Sequence, residues 1–111
     1  MRYWAFASLV LLAVPAQAAS STVTATWYGN ELAGNRTANG EIFNPNGLTA
    51  AHRSLPFGTC LRVSNPKTGK SVKVRVNDRG PFTKGVHLDL SAGAARAIGM
   101  RSTQPVSMKR C

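Results

Sequence analysis

Acid is scarce in this sequence. Four Asp and Glu stand against fourteen Lys and Arg among 111 residues, a formal net charge of +10. Such a bias favours anionic partners: cell-wall and other anionic envelope polymers, phospholipid or lipopolysaccharide surfaces, or nucleic acid. The cations are scattered through strand and turn patterns, with no run that would track a nucleic-acid backbone. Together with the export signal described below, this sets nucleic acid aside. Histidine is rarer still. His52 and His87 are the only two, and with the four carboxylates they form no tight ligand spacing, so neither a metal nor a cofactor is expected.

Long apolar runs are missing too. The stretch Ala5 to Val14 is too short to span a bilayer, and no other approaches spanning length. With Arg2 before it and Ala16-Gln17-Ala18 after it, it reads as the core of a secretory signal peptide over residues 1–18. No cysteine follows the cleavage motif, so no lipid anchor, and no stable membrane anchor, is expected. Residues 19–111 are then one exported domain, periplasmic or secreted and monomeric, with a net charge of +9 once Arg2 is gone. A domain this small gains little stability from its core alone.

Cysteine is limited to Cys60 and Cys111. An even count in a small exported domain argues for one disulfide, closing a loop of about 50 residues and contributing about 4 kcal/mol in the chain-entropy model. The alternatives are a thiol nucleophile or two unrelated thiols. Cys60 falls inside the strand pattern Thr59 to Val63, and Cys111 is the last residue, a poor place to hold a nucleophile. The staple is the better reading.

What is present is alternation. Thr22 to Gly29 reads as a strand, with Val23, Ala25 and Trp27 on one face and Thr24, Thr26 and Tyr28 on the other. Trp27 is expected in the core, and Tyr28 either in the core or in a groove. Residues 29–46, rich in Gly and Asn, form a long loop of the kind that carries function, with Glu41 either solvated or paired to Arg36. Leu48 to His52 is a short buried segment. Thr59 to Asn65 is a strand, and Pro66 to Gly69 turns it back into another.

That next stretch, Ser71 to Ala92, organises the chain. Val72, Val74 and Val76 point one way and Lys73, Arg75 and Asn77 the other, and the strand ends in the turn Asp78-Arg79-Gly80-Pro81. Val86, Leu88 and Leu90 then alternate with His87 and Asp89. Two of the four acids, Asp78 and Asp89, therefore lie eleven positions apart across one turn. Ser91 is the N-cap of a short helix, Ala92 to Ile98, with Gly99 at its end. Gln104 to Lys109 is a last strand. Five or six short strands and one short helix predict a mainly β fold, a small closed or partly closed barrel.

Six ordered motifs carry a resemblance: Trp27-Tyr28-Gly29, Arg36-x-Ala38-Asn39-Gly40-Glu41, Leu48 to His52, Leu55-Pro56-Phe57-Gly58-Thr59, Val74 to Phe82, and Leu88-Asp89-Leu90-Ser91. Together they resemble the catalytic domain of the rare lipoprotein A (RlpA) family of septal lytic transglycosylases, over Ala25 to Met100. The resemblance implies a six-stranded double-psi β-barrel acting on peptidoglycan glycan strands. The catalytic positions it implies are Asp78, Glu41 and His52. The substrate-binding positions are Tyr28, Thr37, Asn39, Phe57, Asn77, Arg79, Phe82 and Asp89. His87-Leu88-Asp89 also resembles the His-x-Asp motif of expansins. Two departures from the family are expected, the lack of a peptidoglycan-binding repeat domain and the lack of a lipobox.

The implied reaction needs no external water. The muramic acid 6-hydroxyl attacks within its own ring and leaves a 1,6-anhydro product, so one carboxylic acid can protonate the leaving oxygen and then take the hydroxyl proton. Asp78 is the expected acid, with a pKa raised by burial or by Glu41 or Asp89, against the pull of Arg79 and the net charge. The competing reading of Asp78 is a salt-bridged corner, and that of Asp89 is a structural role at the helix entry. Two other function classes stay open: an expansin-like module that binds and loosens wall polysaccharide without cleaving it, and a secreted inhibitor or effector.

Overall fold

The computed structural model describes residues 20–111; the expected signal peptide lies outside the described residues. Six strands, β1 (Ser21–Tyr28), β2 (Thr49–His52), β3 (Cys60–Ser64), β4 (Ser71–Asp78), β5 (Leu88–Ser91) and β6 (Gln104–Arg110), close into a barrel in the order β1-β5-β2-β4-β3-β6. Pairs β1–β5 and β2–β4 are parallel, and the remaining four are antiparallel. The expected mainly β barrel is thus closed, and Leu48–His52 supplies its sixth strand. Leu48 itself is exposed, because β2 begins one residue later.

Alternation builds the interior. Ala25, Ala50, Leu61, Val63, Val72, Val74, Val76, Leu88, Leu90 and Val106 fill the barrel, and one end is plugged by Ala94 and Ala95 of α1 (Ala92–Ala97) with Ile98 and Met100 just after it. Ser91 caps α1 as expected: its Oγ accepts from the Ala94 amide at 3.2 Å and donates to the Gly47 carbonyl at 2.6 Å. Helix entry is therefore served by Ser91, and the structural role considered for Asp89 is not the one it has. Trp27 is a second correction. Strand parity turns it inward, but it lies at the barrel rim and is 42% exposed.

Cys60 and Cys111 are bonded, 51 positions apart. Cys60 opens β3 instead of lying inside it, and the Cys111 amide also donates to the Cys60 carbonyl at 3.0 Å. The chain end is thereby fixed to the start of β3, beside the last pairs of β6. Among the described residues, no helix is long and apolar enough to cross a membrane.

Candidate active site

One row of residues crosses four strands on the outer wall. Thr26 of β1 pairs with Asp89 of β5, Asp89 with Ala51 of β2, and Ala51 with Asp78 of β4. The two carboxylates therefore flank Ala51 on strands whose backbones lie about 10 Å apart, two inter-strand spacings. Strand β4 reaches this row through a bulge. Ala50 pairs with Val76 and Ala51 with Asp78, so Asn77 is an inserted residue. Strict alternation after Val72, Val74 and Val76 would turn Asp78 into the core; the extra residue returns it to the outer face.

The loop between β1 and β2 folds over this row. A small ladder orders it: Gly34 N–H donates to Phe43 O, Phe43 N–H to Asn35 O, and Thr37 N–H to Glu41 O. Phe43 then stacks on Tyr28 with ring centroids 4.7 Å apart, and the two cover Ala51 in a second small core. Tyr28, Thr37, Phe43 and Asp78 line a cavity of about 230 Å³ with Leu32, Asn35 and Arg36. At its other end the loop rests on α1, where the Gly93 amide donates to Pro45 O at 2.8 Å.

The two aspartates live in different surroundings. Asp78 Oδ1 accepts from the backbone amides of Ala38, at 2.9 Å, and Arg79, at 2.8 Å. Asp89 Oδ1 is buried without a hydrogen-bond partner among the described residues, as are the Tyr28 hydroxyl and Asn77 Oδ1. Burial first, and then the charges of Asp78 and Glu31, push the Asp89 carboxyl up from 3.8 to about 7. Burial, Asp78 and Asp89 likewise push the Tyr28 hydroxyl up, so the phenol stays protonated beside both acids.

Glu41 is held as a carboxylate. Its partner is Arg75, which donates from both terminal nitrogens, one at 3.0 Å. Asn39 Nδ2 donates at 3.0 Å and Asn77 Nδ2 at 3.2 Å. These bonds, Arg75 foremost, hold its pKa down at about 2. The considered partner, Arg36, instead donates to Gly40 O at 2.8 Å. Thr37 Oγ1 donates to Asn39 Oδ1 at 2.6 Å, so Thr37, Asn39, Glu41, Arg75 and Asn77 form one polar frame around the loop segment whose Ala38 amide reaches Asp78.

His52 ends β2. Its Nδ1 accepts from the amides of Ser54 and Leu55, both at 3.1 Å, which leaves the proton on Nε2. Burial, reinforced by Arg79, lowers its pKa, so this is a neutral donor. Arg79 donates to the His52 carbonyl at 3.2 Å and lies 4.0 Å over the Phe57 ring. Phe57 and Phe82 both show their rings to solvent, Phe82 79% exposed. Arg53, which no pattern in the sequence singles out, donates to the carbonyls of Pro81, Thr83 and Val86 at 2.7, 2.9 and 3.1 Å and so shapes the loop that presents Phe82. Arg75 was the more legible omission: it points outward on β4, two residues before Asn77, and acids are few.

Fold and site define a class, a small closed β-barrel with a paired-carboxylate cleft on its outer wall. Residues 20–109 match the double-psi barrel family described as "Lytic transglycolase", and the chain belongs to that family. It is 66% identical over 79 residues to the probable endolytic peptidoglycan transglycosylase RlpA of Synechocystis, a match covering 71% of this chain and 25% of that protein. It is 49% identical over 87 residues to the endolytic peptidoglycan transglycosylase RlpA of Campylobacter jejuni, covering 77% and 32%. The chain thus spans about a third or less of the length of these relatives. Among solved structures, an apo expansin of Clavibacter michiganensis superposes with TM-score 0.66 at 26% identity, over 84% of this chain and 50% of that one. A variant of that expansin in complex with cellohexaose gives TM-score 0.65 at 25% identity, over the same 84% and 50%.

Proposed function

We propose that this protein is an exported lytic transglycosylase that cuts peptidoglycan glycan strands between N-acetylmuramic acid and N-acetylglucosamine. The observation that carries the reading is the Thr26-Asp89-Ala51-Asp78 row, in which one carboxyl is raised to about 7 and the other accepts two backbone amides. Carboxyls in different surroundings take different acid–base roles. Asp89 holds the proton and delivers it to the glycosidic oxygen. Asp78, held by the Ala38 and Arg79 amides, stabilises positive charge growing at the muramic C1 and accepts the proton of the 6-hydroxyl as that oxygen bonds to C1. The C1–O bond breaks, a 1,6-anhydro ring forms and no water is consumed; a proton passing from Asp78 to Asp89, with the Tyr28 hydroxyl near both, resets the site. This divides between two aspartates the work that one acid was expected to do.

Glu41 acts through position. It holds Asn39 and Asn77, and so keeps the Ala38 amide on Asp78. His52 donates through Nε2 to the sugar, and Phe57 and Phe82 offer ring faces to pyranoses. Purified peptidoglycan, intact and stripped of stem peptides, tests the reading. Wild type should release anhydro-products seen by mass spectrometry, while Asp78→Asn and Asp89→Asn release none and still bind. Reducing-end products would make it a hydrolase, and binding by all three without any product would make it a non-cleaving wall-binding module.

A further inference from the structure

Trp27 is a large side chain in the wrong place for a core residue. By register it lies opposite Leu90 on the inner side of β1, but its ring emerges at the barrel rim against α1. Neighbouring side chains on a strand point to opposite faces, so Trp27 looks away from Tyr28 and the carboxylate row. The ring is fixed. Nε1 donates to the Arg101 carbonyl at 3.0 Å, and Gly29 packs at its edge, where an added Cβ would lie 3.4 Å from Cζ3. A concavity of about 520 Å³ opens beside it, lined by Trp27, Arg96, Gly99, Met100 and Arg101. Arg96 spends one nitrogen on Asn46 Oδ1, at 2.7 Å. Neither arginine has an acidic partner among the described residues, where the only salt bridge is Arg75–Glu41.

A rigid, half-exposed indole with an apolar floor and two guanidiniums unpaired to acid has a defined complement. The ring face accepts the C–H face of a sugar, and planar guanidinium forks pair with a carboxylate. We infer that the Trp27, Arg96 and Arg101 concavity is a second glycan site, separate from the cleft, which takes an amino-sugar ring bearing a carboxylate. The inference rests on the glycan reading above and deepens it: the site would hold a strand through a muramic residue whose lactyl carboxylate carries no stem peptide, while the cleft works on another part of the polymer.

The test uses the full chain carrying Trp4→Phe, so that Trp27 is the sole indole whether or not residues 1–18 are removed. Its fluorescence is titrated with a GlcNAc–MurNAc disaccharide having a free lactyl carboxylate, and with neutral diacetylchitobiose. The expected result is a saturable change with the acidic disaccharide, about ten-fold weaker with the neutral one and about ten-fold weaker in Arg101→Gln or Arg96→Gln. Asp89→Asn, which blocks cleavage, should leave the titration unchanged. No indole response to the acidic disaccharide overturns the site, as does a response indifferent to both arginine variants. So does a response abolished by Phe82→Ala, because that signal comes from the cleft. Anhydro-products without an indole response would retain the enzyme reading and reject this site; the reverse pattern would retain the site and reject the enzyme.

Discussion

Replacing Asp89 by Asn should make the protein more stable and inactive, and the stability gain should depend on pH. The folded carboxyl titrates at about 7 instead of 3.8. Between those values the unfolded chain has released this proton while the folded chain retains it. Stability contributed at this position is therefore intact below about pH 4, falls as pH rises through the window and levels off above about 7. Three units would amount to roughly 4 kcal/mol at most, and residual solvent access around a partly exposed group reduces this to about 2 kcal/mol. The amide does not ionise. Near pH 4 the two proteins should match, and near pH 8 the variant should be ahead by about 2 kcal/mol, or about 10 °C in Tm for a domain of this size. Urea unfolding followed by circular dichroism across that range measures it. A difference that stays constant with pH, or a variant that is the weaker partner near pH 8, would refute the raised carboxyl and with it the proton donor. In the wild type, kcat/KM should fall as pH rises through about 7.

Glu41, held at about 2, contributes in the opposite sense: its stability is present above its ordinary 4.5 and lost as pH falls toward about 2. Glu41→Gln should flatten that acid limb in thermal melts, and an unchanged limb would sink the Arg75 pairing as its cause. Gly93→Ala places a Cβ 2.7 Å from the Asn46 carbonyl and should cost about 1–3 kcal/mol by overpacking, read as a lowered Tm. Cys60→Ser paired with Cys111→Ser should lower stability by up to about 4 kcal/mol, and free thiols in the wild type purified without reductant would contradict the bond. Arg53→Lys keeps one charge but not the three-carbonyl grip; KM should rise several-fold with kcat nearly unchanged, and the reverse split would show that Arg53 acts on the chemistry.

The local parts of this molecule were legible in its sequence. Val72-Val74-Val76 and Leu88-Leu90 announce their inner faces by period two, Ser91 announces its helix, and an even pair of cysteines in a small domain announces a bond. Asp78, Glu41, Tyr28, Thr37, Asn39 and Asn77 do meet around one cleft. What was not legible is non-local. Strand order and the two parallel pairings depend on closure, which no single alternation encodes. Glu41 chose Arg75, 34 positions away, over nearby Arg36, because β4 and the loop meet only in the fold. Trp27 has a core pattern, but it falls where the barrel ends, so parity gave its direction and not its burial. Asp89 was considered for a helix-entry role, but the capping bonds are those of Ser91, and Asp89 is a half-buried acid whose Oδ1 has no hydrogen-bond partner among the described residues.

The bulge at Asn77 separates support from chemistry. On a regular strand, consecutive residues serve opposite faces, so a strand offers a cleft only every second side chain. Here one surplus residue lets Asn77 brace Glu41 and Asp78 line the cleft in succession. Asp78 would follow Val76 into the same row if Asn77 were absent, so its address does not depend on what occupies position 77. Position 77 therefore acts on the overlying loop, through Glu41 and Asn39, while the register places the carboxylate. One inserted residue thus gives the same short stretch two tasks, a brace for the loop and an address for the reacting group.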